Sequence, residues 1–412
     1  MRVTTLLKRL LGLGRVRVVG FQLVAQGAAT TLLVDVVLAP RRRLRCGRCG
    51  QRVAAVYDHR QRHWRHLDLG STRTLLRGEV CRVSCPRCGV VTEQLGFARP
   101  GSRFTRAFED TCAWLARAAT KRVVAELLRI DWATVGRIID RVVAEHRLLH
   151  GDGLDGLRRI GIDEVAYRKG HYYLLVVVDH DAGRIVWCAH GRTQAVVRRF
   201  FADLGAERTA QLEAVTLDMS HGFNHVVARA APQAAICTDP FHLAAHAHFA
   251  LDRVRAREWQ RLRRDDAEAA RWLKGTRWAV RRGPQRRTPA DTDTLAQLAE
   301  ANLGTYHAWL LCEQLRAVWH TDSDTAAALL DDWCTAAHTS GLPPFARVAA
   351  MVRRWRQRIL NSIRLGLTNA RLEALNSTIR LLSHRSRGFR RVDHLISLIH
   401  LVCGRIPLQL PT

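Results

Sequence analysis

Apolar residues alternate with polar ones at Val16 and Val18 and again at Leu32, Val34 and Val36, which predicts two strands after a short helix within residues 1–40. From Phe104 to Arg147 the period becomes helical. One helix is expected over residues 104–118 and a second over 123–128; after a turn at Arg129-Ile130-Asp131, a third covers 132–143. The last two have the length and punctuation of a helix-turn-helix, with Asp131 as N-cap of the second. Gly151-Asp-Gly-Leu-Asp-Gly156 reads as a linker. Beyond it the period drops to strands at 159–163, 171–179 and 184–190. A helix near 193–204, a strand at 214–217, a helix at 221–229 and a strand at 234–238 follow. Three sequential strands, then helix, strand, helix and strand, is the order of a ribonuclease H-like core. From Asp239 onward the chain is nearly all helical, interrupted at 281–287 and 340–344.

With 412 residues, 47% of them hydrophobic and 25% charged, the chain has room for two or three globular domains. Its net charge of +28 changes the picture, because so large a surplus calls for a polyanionic partner. Lysine occurs only at Lys8, Lys121, Lys169 and Lys274, so the surplus is arginine. A G+C-rich genome accounts for arginine over lysine, but not for cations over acids. The longest apolar run, Tyr172–Val178, is a strand, and Arg15 and Arg17 interrupt the leucines of residues 1–14. No membrane partner is therefore expected, and the expected compartment is the cytoplasm of a bacterium, at the nucleoid when bound to DNA.

Cys46-Gly-Arg-Cys49-Gly and Cys85-Pro-Arg-Cys88-Gly are matched knuckles separated by 35 residues. Each turn aims two thiolates at one ion, and the glycine allows the backbone to reverse. Cys46, Cys49, Cys85 and Cys88 are thus a candidate structural zinc site, with all four positions filled by protein. In the third helix of 104–147, Thr134, Arg137 and Arg141 line one side and are candidate DNA contacts.

Three acidic residues carry the candidate chemistry. Asp163 and Asp218 follow short apolar runs at the ends of the first and fourth strands, and Glu373 lies on a late helix. A single aspartate at a strand end is ordinarily a cap or turn residue. The set is different: the first and fourth strands of a ribonuclease H-like sheet are neighbours, so two of the acids share an edge. Three carboxylates offer hard oxygen ligands to two Mg²⁺ ions and leave places for phosphate and water. Glu164 should point away, by alternation. Asp239, also after a strand, is an alternative to Asp218. His242 has helical spacing to His246, and Asn369 and Asn376 flank Glu373 and can orient it or contact DNA. Arg387 and Arg390 belong to a basic run suited to backbone phosphates.

The motifs, taken together and in order, resemble the ISL-three group of bacterial insertion-sequence transposases, of the DDE class. They are Ser84-Cys-Pro-Arg-Cys-Gly89, Gly101-Ser-Arg-Phe-Thr105, Gly161-Ile-Asp-Glu164 with Arg168-Lys-Gly-His171, Leu217-Asp-Met219, Asp239-Pro-Phe-His242, Leu367-Thr-Asn-Ala-Arg-Leu-Glu-Ala-Leu-Asn376 and Arg387-Gly-Phe389. Ser220-His-Gly-Phe223 departs from the group, which more often has an aromatic directly after the methionine. The resemblance implies a multidomain α+β chain. Its expected parts are a zinc-binding, β-rich domain at 1–100, a helix-turn-helix at 101–150, a ribonuclease H-like core begun at 158–240 and resumed at 361–412, and an all-helical insertion at 241–360. It also implies binding of terminal inverted repeats, Mg²⁺-dependent strand cleavage and transfer to target DNA, with Asp163, Asp218 and Glu373 catalytic. Pairing two element ends implies a homodimer or larger in the active complex. The alternatives are a zinc-containing transcriptional repressor without catalysis and a ribonuclease H-like nuclease or resolvase.

Overall fold

Alternation in the first hundred residues produces a sheet with one buried face. The computed structural model describes residues 2–410 apart from Arg15, Gly27, Ala28, Pro40, Arg41, Asn302, Arg387, Gly388 and Arg390. The chain divides into two units, Met1–Gly153 with Leu381–Thr412, and Leu154–Arg380. In the first, α1 (Val3–Leu10) precedes the antiparallel hairpin of β1 (Val16–Gln26) and β2 (Ala29–Leu38). β3 (Val56–Arg65) and β4 (Arg73–Cys85) form a second hairpin, and β2 joins β4 in parallel. Leu7, Val18, Val34, Trp64, Leu76 and Val80 meet in one apolar cluster. The short β5 (Gly89–Thr92) pairs back on the end of β4.

Three capped helices follow. Thr105 and Thr120 accept hydrogen bonds from the first-turn amides of α2 (Arg106–Ala118) and α3 (Lys121–Leu128). Asp131 does the same for α4 (Trp132–His150), accepting from Ala133 N at 2.8 Å. Between α3 and α4 the chain reverses through Arg129 at φ 53°. A left-handed arginine is uncommon, and here it closes a three-residue turn.

The second unit opens with a five-stranded sheet. β6 (Arg159–Arg168), β7 (Tyr172–Asp179) and β8 (Arg184–His190) run as an antiparallel meander. After α5 (Gln194–Leu204) and α6 (Ala206–Thr209), β9 (Ala214–Leu217) lies parallel to β6. After α7 (His221–Ala230), β10 (Ala235–Thr238) lies parallel to β9. Val197, Phe200, Val226 and Val227 cover one face, against Ile160, Ile162, Leu175 and Val177. The first strand extends past Asp163, where the sequence pattern predicts its end, because β7 pairs with it as far as Arg168. Gly170 and His171, at φ 82° and 50°, make the turn.

From Pro240 the second unit is helical: α8 (Pro240–Asp265), α9 (Ala267–Gly275), α10 (Pro289–Glu300), α11 (Gly304–Ala317), α12 (Ser323–Thr339), α13 (Pro343–Leu365) and α14 (Ala370–Arg385). Leu243, Leu251, Leu298, Leu330, Trp333 and Phe345 form their common core. α13 covers the sheet edge at β10. There Asn361 Nδ2 donates to Ile236 O at 3.0 Å and Ser362 Oγ to Thr238 O at 2.7 Å, satisfying carbonyls of an otherwise open strand. The last helix, α15 (Val392–Cys403), belongs to the first unit and packs on α2 and α4, with His394 Nδ1 2.7 Å from Asp140 Oδ2. Among the described residues, no helix is long and apolar enough to cross a membrane.

Candidate active site

The parallel pairing of β6 with β9 sets the first two acids side by side. Its last pair is Gly161 with Thr216, so Asp163 and Asp218 each lie two residues beyond it in the same direction. Ile160 and Ile162 enter the core beneath α5 and α7, and alternation turns Gly161 and Asp163 to the other face. Leu372 of α14 comes down on that face. A methyl built on Gly161 would sit 2.7 Å from Leu372 Cδ1, 2.8 Å from His180 Nε2 and 2.9 Å from Thr216 Oγ1. Gly161 is therefore what lets α14 approach. A glycine between two isoleucines in a strand is the sequence signal of such an approach.

Asn369, directly before α14, and Glu373 and Asn376 on it follow one another at helical spacing, and Glu373 N donates to Asn369 O at 2.8 Å. Asn376 Nδ2 reaches Asp163 Oδ2 at 2.6 Å, and Asn369 N donates to Asp239 Oδ1 at 3.2 Å. His242, in the first turn of α8, brings its Nε2 to 2.9 Å from Asp218 Oδ1. His246 is exposed one turn on, and the partner of His242 is Asp218. The acids thus fall into two neighbourhoods, Asp163 with Asp218 and Asp239 with Glu373, and the charge of His242 is felt at Asp163 and Asp239.

These contacts fix the protonation of the site. Burial raises the Asp163 carboxyl to about 6, helped by the Asp218 charge and opposed by the Glu164 amide and Asn376. Asp239 is also raised, by burial first, with Glu373 adding to it. The hydrogen bond to Asp218 lifts His242 to about 9, against the opposing effect of burial, so its ring is cationic at neutral pH. Glu164 is half-buried and raised by burial; the Asp218 charge still reaches it. Asp239 Oδ2, Asn376 Oδ1 and both side-chain polar atoms of Asn369 are buried without a hydrogen-bond partner. Oxygens left in that state suit a cation, which needs several hard donors. Glu373 itself is exposed, at the rim.

In the first unit the four cysteine sulfurs lie within 4.8 Å of one another, the one such group of three or more metal-ligating side chains among the described residues. Cys49 Sγ and Cys85 Sγ are 3.7 Å apart. A tetrahedral ion with Zn–S bonds of about 2.3 Å requires sulfur–sulfur edges of about 3.8 Å, so the set fits zinc. Gly50 and Gly89, the residues after each knuckle, both have φ 72°, as the reversal demands. Burial alone would raise Cys46, but the amides of Cys49 and Arg48 outweigh it and bring the thiol to about 7.

The expected DNA contacts divide. Arg137 is exposed on α4, with its Nη2 2.8 Å from Thr134 Oγ1. Arg141 turns inward and pairs with Glu109, which is fully buried, at 2.6 Å. There it faces an interior carboxylate, while its side chain stays partly exposed. Arg387 and Arg390 lie outside the described residues.

Comparison with known proteins agrees with this layout. A family model described as a transposase matches residues 160–399, one for the helix-turn-helix domain of transposase family ISL3 matches 93–143, and one for the zinc-finger of transposase IS204/IS1001/IS1096/IS1165 matches 42–88. The transposase for insertion sequence element IS1557 of Mycobacterium tuberculosis, strain CDC 1551 / Oshkosh, is 40% identical over 381 residues, covering 87% of this chain and 85% of its own. The protein of that name in strain ATCC 25618 / H37Rv gives the same figures. The transposase for insertion sequence element IS1001 of Bordetella parapertussis is 27% identical over 352 residues, 85% of this chain and 86% of its own. With three family segments in order and that identity over most of its length, the chain belongs to the ISL3 family of insertion-sequence transposases, with a zinc ribbon and a DNA-binding helix-turn-helix ahead of the transposase domain.

Proposed function

We propose that this transposase cuts and joins DNA strands in the DDE manner, with Asp163, Asp218 and Glu373 as its catalytic acids on a ribonuclease H-like core. The observation that carries the reading is the β6–β9 register, which runs two residues short of both Asp163 and Asp218. On this reading residues 158–240 and the stretch from 361 to Arg380 supply the core, with the rest of 361–412 packed in the first unit; residues 241–360 are a helical insertion, and residues 1–100 and 101–150 bind zinc and the element's terminal inverted repeats. Thr134 and Arg137 meet the repeat DNA from α4. A homodimer or larger assembly pairs the two ends, in the bacterial cytoplasm.

Two Mg²⁺ ions bound at such acids supply activation of the attacking oxygen and stabilisation of the leaving one. The remaining work falls to the chain itself. Asn376 holds the Asp163 carboxylate in one orientation by its 2.6 Å hydrogen bond. His242, cationic at neutral pH, offsets the mutual repulsion of Asp218, Asp163 and Asp239. Arg371 of α14 donates to the His180 carbonyl, tying the helix that carries Glu373 to the sheet.

A second assignment, with Asp239 in place of Asp218, is favoured by one fact: Asp239 is buried and its Oδ2 has no partner. The test is cutting of a labelled duplex bearing the element's terminal repeat, in Mg²⁺ or EDTA, by wild type, Asp218→Asn and Asp239→Asn. Loss of 3′-end cutting with Asp218→Asn alone supports the first assignment, and loss with Asp239→Asn alone moves the ligand. Specific binding by wild type without cutting in any metal would sink the DDE reading and favour a DNA-binding regulator.

A further inference from the structure

Beyond the acids, α8 presents a second face. Leu243, Ala247, Leu251 and Val254 point into the helical core, while Phe241 and Phe249 point out, 53% and 61% exposed. Trp278, just beyond α9, is 61% exposed as well. Two recesses adjoin along this surface. One, of about 550 Å³, is lined by Phe241, Phe249 and Arg277 among others, and one of about 630 Å³ by Trp278 and Arg286; Arg281 is a wall of both. The arginines are arranged on the rings. The Arg253 guanidinium lies 4.9 Å from the Phe249 centroid and Arg277 lies 5.6 Å from Trp278. Among the acids here, Asp252 pairs with Arg281 at 3.1 Å and Asp291 with Arg282 at 2.7 Å. Arg253, Arg277 and Arg286 are exposed and remain as surplus positive charge.

We propose that Phe241, Phe249 and Trp278, with Arg253, Arg277 and Arg286, form a stacking platform for unpaired nucleotides of a DNA strand. Exposed rings flanked by cations match a polymer that alternates flat apolar bases with phosphates. Bases inside a duplex are already stacked on each other, so the rings gain contacts only from unpaired ones. Phe241 and Phe249 are eight residues apart on one helix, about 12 Å along its axis, which separates two ring sites without bending the chain. Phe241 is the chain neighbour of His242, the partner of Asp218, so the platform and the candidate active site share the first turn of α8. The platform serves the strand-cutting reading above, and its binding function stands apart from the acids.

The test uses full-length protein in EDTA, with fluorescence anisotropy on labelled oligothymidylate and, separately, on duplex terminal repeat. Phe249→Ala and Trp278→Ala should each weaken single-strand binding about 5- to 150-fold, with duplex affinity unchanged and Trp278→Phe retaining most of it. Both side chains are exposed, so the variants should melt like wild type. Arg286→Gln should lower the slope of log affinity against log salt on the single strand by about 0.7. Asp218→Asn should bind oligothymidylate normally; if it does and wild type cuts nothing, the catalytic reading falls and the platform stands. Wild-type affinity for oligothymidylate in the double variant Phe249→Ala, Trp278→Ala would overturn the proposal. So would equal losses on duplex, or a change of oligomeric state alone, which would mark the patch as a surface between copies of the chain.

Discussion

Gly161→Ala tests whether a single missing carbon holds the site together. The added methyl would lie 2.7–2.9 Å from Leu372 Cδ1, His180 Nε2 and Thr216 Oγ1, where ordinary contacts need about 3.5–4.0 Å. Each neighbour must therefore yield by roughly 1 Å. None has room: Leu372, Thr216 and His180 are 0%, 1% and 6% exposed, and the last two are tied by a 2.8 Å hydrogen bond. Overpacking of this kind costs about 1–3 kcal/mol. The cheapest relief is for α14 to lift, which carries Glu373 and Asn376 away from β6. A misplacement of about 1 Å can lower a rate about 100-fold. The assay is Mg²⁺-dependent cutting of labelled repeat DNA beside a urea melt. Leu372→Ala removes the closest of the three contacts, so the double variant Gly161→Ala, Leu372→Ala should recover part of the cutting that Gly161→Ala loses. Full cutting by Gly161→Ala, or no recovery in the double variant, would refute the argument that α14 docks through this glycine.

Other perturbations address the first unit and the site. Arg99 is buried beside Glu109, Asp110 and Glu145, with Nε 2.7 Å from Glu145 Oε2, so Arg99→Met should cost about 3–5 kcal/mol by stranding buried carboxylates; a urea midpoint like wild type would disprove it. His66 is buried and its pKa falls to about 4, through burial first and the Arg65 charge second. Its neutral form is favoured by folding, so this stability is full above the unfolded pKa of about 6.5 and is lost as pH falls toward 4, about 3 kcal/mol at the limit. His66→Gln should show a shallower loss between those pH values, and identical pH profiles would count against it. Removing zinc with a chelator, or Cys85→Ser, should release about one ion per chain by atomic absorption and lower the melting of the first unit; unchanged metal content in Cys85→Ser would contradict four-sulfur ligation. Asn376→Ala should cut cleavage while leaving repeat binding intact, and parallel loss of both would make the residue merely structural.

Much of the sheet of the second unit is legible because β7, β8 and β9 are short and mostly buried. Tyr172–Asp179 is the clearest case, with Leu174 to Val178 wholly buried. The extension of β6 was hidden, since Ala166, Tyr167 and Arg168 look like a polar exit and only pairing with β7 holds them extended. Asp131 as a cap could be read locally, whereas the left-handed Arg129 before it carries no sequence signal. Arg141 looked free on its own helix. Its partner Glu109 lies on α2, 32 residues earlier, and no helical period reports a contact of that kind. The sequence shows the spacing of His242 to His246, but the partner of His242 is a carboxylate that the chain reaches from another strand.

The site owes its shape to contacts that are distant in sequence. Asn376 meets Asp163 across 213 residues, Asn369 meets Asp239 across 130, and Ser362 meets Thr238 across 124. The sheet is built from segments close in sequence, whereas α14 reaches it only after the intervening helical region. Long-range contacts of this kind incur their loop entropy before they return any stabilisation. α13 answers that cost by pinning itself to β10 through Asn361 and Ser362 directly ahead of α14. The geometry of the proposed acids is then coupled to the packing of Phe345, Trp355 and Ile359, which are buried on α13. Damage to that core should therefore act on cutting through the position of α14, with the acids themselves unaltered.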